Sequence, residues 1–180
     1  MIHAPSLNPT WILAAVVAAI AAITDWRSRR IPNWLTVSGA AAGIAANTIF
    51  YRSSGLKAAL LGMGLGLALL LPFVLIRSLG AGDWKLAGAL GACLGPRPLI
   101  DVLIAAILVA GVMALAVVIH TGRLKKTLLN IAHIVGTLFT LRLPGAEVSL
   151  DNPQSTKIPF GVALALATIL YVVAASLGKI

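Results

Sequence analysis

The chain has 180 residues, of which 59% are apolar and only 11% charged. A water-soluble domain carries about 25% charged residues, so there is too little polar material here to wet a globule, and most of the chain is expected in lipid. The single cysteine excludes an internal disulfide scaffold, and the net charge of +9 comes from cations scattered between apolar runs, which points to membrane topology and away from nucleic acid.

A hydrocarbon core about 30 Å thick asks for roughly 20 apolar helical residues. In chain order such runs cover residues 7–24, 35–50, 56–76, 99–119 and 159–177, with a sixth, shorter run at 84–94. No Lys or Arg lies within residues 1–10, so the first run is read as a retained span and not as a secretory signal. At 1.5 Å per residue the run at 84–94 reaches only about 16 Å. It is either buried among other helices or one arm of a re-entrant hairpin.

Charge separates these two options. With six spans and an outside N-terminus, the inside holds Arg27, Arg29, Arg30, Arg77, Lys85, Arg123, Lys125, Lys126, Arg142 and Lys157, and the outside holds Arg52, Lys57, Arg97 and Lys179. That split of ten to four becomes seven to seven if the short run merely dips and returns. Cations concentrate on the cytoplasmic side, so six spans with both termini outside is the expectation. Trp11, Trp26, Trp34 and Trp84 fall at the ends of these runs, as an interfacial aromatic belt requires.

The long connection covers residues 120–158. Its first half places Leu124, Leu128, Ile131, Val135 and Leu138 on one helical stripe, which predicts an amphipathic helix lying in the cytoplasmic interface. Residues 144–159 are polar and proline-bearing and read as a loop. The expected fold is therefore an all-α polytopic membrane protein. It has six transmembrane helices plus one interfacial helix, and residues 1–180 form one membrane-embedded domain.

Five acids are present. Glu147 and Asp151 sit in the polar loop, and Asp101 lies near Arg97 at the outer end of the fifth run. Asp25 closes the first run and Asp83 opens the short one, both on the cytoplasmic side in the six-span topology. An acid at the bilayer boundary is costly unless it faces protein or a water cavity, so function is expected of both. The plainer reading of Asp83 is a cap for its own helix. Two carboxyls about 3 Å apart share a proton, so one can take a proton from water while the other donates to a carbonyl oxygen. Gly80 and Gly82, just before Asp83, permit close approach of an extended chain.

The stretches Asp25-Trp26-Arg27-Ser28-Arg29-Arg30-Ile31-Pro32-Asn33, Gly80-Ala81-Gly82-Asp83-Trp84-Lys85-Leu86 and Ile158-Pro159-Phe160-Gly161 resemble the prepilin peptidases (type IV leader peptidases), membrane aspartic proteases of the Gly-x-Gly-Asp class. The resemblance runs from the first span to the last. It implies removal of the short basic leader from type IV pilin-like precursors at the cytoplasmic face of the bacterial inner membrane, with Asp25 and Asp83 catalytic. The short length resembles the form associated with tight-adherence (Flp-type) pili. It further implies that Gly80, Gly82, Lys85, Pro32, Asn33, Pro159, Phe160 and Gly161 shape the site or bind the substrate. The expected partners are a prepilin, with its leader and apolar helix, and anionic lipid headgroups beside Arg27, Arg29 and Arg30.

Two departures stand out. The loop between the first and second spans is too short for the paired-cysteine segment of long-form relatives, so proteolysis is expected without N-methylation. Val162 stands where relatives often have proline. His3, His120 and His133 lack metal-ligand spacing, and no metal or other cofactor is expected. Cys93 is expected to pack as a small apolar residue. The pairs Gly39/Gly43 and Gly62/Gly66, with Gly88, predict tight helix packing. Two rival functions are a non-catalytic pilus-assembly factor and a proton-coupled transporter, the second disfavoured by spans nearly devoid of polar groups away from their ends.

Overall fold

A computed structural model of the chain describes residues 8–122 and 159–178. These form five α-helices and no strand: α1 (Pro9–Ser28), α2 (Asn33–Leu75), α3 (Ala81–Leu94), α4 (Pro96–His120) and α5 (Phe160–Ser176). By length and composition α1, α2 and α4 can each cross a membrane, and α5 is a shorter apolar helix. Their outer faces carry exposed leucine, isoleucine and valine, such as Leu69, Ile104, Leu108 and Val112, a surface suited to lipid.

Five helices are described where six spans plus an interfacial helix were expected, because two of the six runs form one helix that doubles back. The runs at 35–50 and 56–76 join without an intervening loop into α2, whose only break is Arg52, at φ 54° and ψ −136°. Gly55 allows this close turn, because a Cβ there would strike the Asn47 carbonyl. The two limbs meet α3 in opposite senses. Gly39 lies against Ala89 and Gly43 against Cys93, whereas Gly62 lies against Gly91 and Gly66 against Ala87. The first limb therefore runs parallel to α3 and the second antiparallel to it. The amphipathic helix expected over 124–138 and the loop over 144–158 lie outside the described residues.

α3 is the innermost helix, with every residue from Leu86 to Leu94 buried. It is short enough to sit inside the bundle and too apolar to be wetted. Small residues bring its neighbours close: between Gly62 and Gly91 a Cβ on either would meet the other's carbonyl oxygen. In lipid such tight contact replaces the hydrophobic drive between helices. The glycines thus close α2 onto α3, and Gly39 adds a contact to Val17 of α1. The last carbonyls of a helix lack intrahelical partners. Asn47 supplies them here, its Nδ2 donating to the Ala92 carbonyl at 2.9 Å and the Cys93 carbonyl at 3.1 Å.

α1 and α5 are antiparallel. Trp11 meets Tyr171 edge-on at 5.6 Å near one end of the bundle, while Asp25 lies beside Gly161 at the other. That second end collects the end of α1 and the starts of α2, α3 and α5. Trp26 and Trp34 there are 73% and 64% exposed, in keeping with an interfacial belt. Trp84 is not part of the belt: it packs against the core and its Nε1 donates to the Leu67 carbonyl at 2.7 Å.

Candidate active site

Three helix termini build the site. Asp25 sits in the last turn of α1, and its carbonyl accepts the N–H of Arg29 at 2.8 Å. Arg29 adopts the left-handed conformation (φ 49°, ψ 35°) that ends the helix. The chain then turns sharply through Arg30, Ile31 and Pro32 into α2. This turn folds Ile31 inward, buried, between the exposed Arg30 and the half-buried Pro32.

Asp83 lies in the first turn of α3, three residues after the cap position held by Gly80. It does not cap its helix. Its carboxylate instead reaches back towards the Gly80 amide, half of a capping-box arrangement. The third terminus is the start of α5. A Cβ on Gly161 would fall 2.8 Å from Asp25 Oδ2, 2.8 Å from Ile31 Cδ1 and 3.0 Å from Asp83 Oδ1. The two carboxylate oxygens are therefore separated by no more than the sum of their distances to that one point. Only the absence of a side chain at Gly161 lets α5 approach both acids at once.

The backbone of α5 adds donors. The Gly161 amide points at the Asp83 carboxylate and the Val162 amide at that of Asp25. Both are first-turn N–H groups at the helix end that favours negative charge, the Val162 N–H also donating to the Pro159 carbonyl at 3.2 Å. Asp25 is 7% exposed, and its Oδ2 is buried with no hydrogen-bond partner among the described residues. An orphaned buried acceptor beside a second carboxylate suits a water or a substrate group.

A cavity of about 300 Å³ opens at this point, lined by Asp25, Arg29, Arg30, Ile31, Gly80, Ala81, Gly82 and Asp83. Of the residues singled out in the sequence, Asp25, Asp83, Gly80, Gly82 and Gly161 come together around it. Pro32 caps α2 without a side-chain bond, and Asn33 accepts a hydrogen bond from Lys85 Nζ at 2.9 Å beside the cavity wall. Pro159 is the cap residue of α5 and Phe160 packs against the apolar core, so these two seat the helix that carries Gly161. Ile31, part of the first motif but not among the expected site residues, and the Val162 amide also contribute. The sole apolar side chain between Arg30 and Pro32 was the available signal for Ile31, and no side-chain pattern reports a backbone amide. Arg29 and Arg30, read as orientation signals, also line the cavity. Among the described residues no three His, Cys, Asp or Glu side chains gather into a metal-ligating group.

A family model described as the type IV leader peptidase family matches residues 12–115, from α1 into α4 and including both aspartates. No curated protein and no solved structure matches the chain.

Proposed function

The chain belongs to the type IV leader peptidase family, and from that premise we propose that it is an aspartic endopeptidase that removes the basic leader of Flp-type prepilins through water activated by Asp25 and Asp83. The observation that carries this reading is the convergence of both carboxylates on Gly161. In the singly protonated pair, the ionised carboxylate takes a proton from water as its oxygen bonds to the scissile carbonyl carbon. The protonated partner gives its proton to the carbonyl oxygen. As the tetrahedral intermediate collapses and the C–N bond breaks, the first aspartate gives the proton it took from water to the leaving amine. The second recovers one from a hydroxyl of the intermediate, so the pair returns to its starting state. Neither a covalent intermediate nor a metal enters this scheme.

The substrate's apolar helix would lie in the bilayer and its leader outside, so the junction reaches the site at the membrane boundary and must be extended to be attacked. Gly80, in the cavity wall, carries no side chain to obstruct an extended backbone, while Gly82 packs against Ile31. In our reading this end of the bundle faces the cytoplasm of a bacterial inner membrane and both termini lie outside. Arg27, Arg29, Arg30, Arg77 and Lys85 belong to this end, whereas Arg52, Lys57 and Arg97 belong to the other, the bias that topology follows. Anionic headgroups would meet the arginines here.

The test is co-expression with a precursor. Asp25→Asn and Asp83→Asn each keep the volume of the side chain and remove the acid. Each should abolish leader removal, a loss of at least about 10³-fold, while the protein still reaches the membrane. Cleavage by either variant at the unaltered rate would contradict the mechanism.

A further inference from the structure

The first turns of α3 touch the chain between α1 and α2 at two places. At the first, Gly82 lies against Ile31: a Cβ on Gly82 would fall 3.2 Å from Ile31 Cβ and 3.5 Å from its backbone nitrogen. At the second, three residues along α3, Lys85 Nζ donates to Asn33 Oδ1. Residues 29–32 are thus pinned to α3 at Ile31 and again just beyond the loop's exit. Asn33 follows the cap position held by Pro32, so its carboxamide is not committed to capping α2. Lysine offers three donors and asparagine a neutral acceptor, so this bond persists whichever carboxylate carries the proton.

We propose that Lys85 is a positioning residue whose bond to Asn33 latches the loop of residues 29–32 onto α3 and holds Ile31 against the catalytic pair. Its effect on cleavage rests on the peptidase reading above; the latch itself does not. Ile31 has its backbone on Gly82 and its Cδ1 at the Gly161 approach, so it fills the space beside both acids. Arg29 and Arg30, on the same loop, form the lip of the cavity. A loop released at Asn33 would lift Ile31 away and loosen the site, and small misplacements of a catalytic constellation cost large factors in rate.

Two measurements on the full-length protein test this. In a Cys93→Ala background, Ile31→Cys reports the seating of the loop through its rate of maleimide labelling, with Trp26→Cys as the exposed control. Adding Lys85→Met, which keeps the stem and removes the donor, should speed labelling at position 31 by about tenfold and leave position 26 unchanged. In cleavage of a purified precursor, Lys85→Met and Asn33→Ala should each lower kcat by about tenfold with little change in KM. The double variant should be no slower than either single one, and Lys85→Arg should restore most of the rate. An unchanged labelling rate at position 31 in the Lys85→Met protein overturns the latch, whatever the cleavage activity. Faster labelling in a protein that cuts no precursor even with Lys85 intact supports the latch and overturns the peptidase reading alone.

Discussion

Asp25 Oδ2, buried and without a donor among the described residues, lies 2.8 Å from where an alanine methyl at position 161 would have to go. Gly161→Ala is therefore a sharp probe of the pair. Its Cβ would press on both acids and on Ile31, and the α5 backbone would have to retreat. Displacement of a reacting group by about 1 Å costs about 10²-fold in rate, so cleavage should fall by roughly that factor. Thermal unfolding of the detergent-solubilised protein should change far less, because Gly161 stands at a helix start. Full activity in this variant would mean that α5 does not set the site. The two aspartates were legible because an acid at the end of an apolar run has few other reasons to be there. Gly161 was legible only through the resemblance, since a glycine after Phe160 has no chemistry of its own. The amide of Val162 could not be read at all: backbone donors acquire meaning only when another helix brings an acceptor to them.

Between helices, tight approach governs the fold, and Asn47 marks where it matters most. Its carboxamide satisfies two carbonyls of the last turn of α3 in a place where water is excluded. Asn47→Leu has nearly the same volume and no donor, so it should destabilise the protein by about 1–3 kcal/mol. A lowered thermal midpoint in detergent would register this, with cleavage retained at lower temperature. An unchanged midpoint would show that the two carbonyls find other donors. Hydropathy located every described helix to within a few residues, and glycine spacing foretold close packing. What it could not give was the partner of each glycine. It also placed a connection between the runs at 35–50 and 56–76, where the chain instead turns at Arg52 with no loop. A single residue at positive φ is enough to reverse the chain, and arginine gives no hint of it, since such backbone angles are usually left to glycine.

For the whole molecule, the arrangement of charge predicts orientation. Cysteines placed at Arg30 and at Lys57, again with Cys93→Ala, should label from opposite sides of the membrane in intact cells and inverted vesicles. Position 30 should be reached from the cytoplasm. Labelling of both from one side would contradict the proposed topology and move the site away from a cytoplasmic leader. The most direct measurement is made with pure components: the detergent-solubilised protein, a precursor with a basic leader and an apolar helix, and mass spectrometry of the products. The account predicts one cut that releases the leader, made by the unaltered protein and by neither Asp25→Asn nor Asp83→Asn. An intact precursor after incubation with the unaltered protein, or the same cut made without either aspartate, would contradict it.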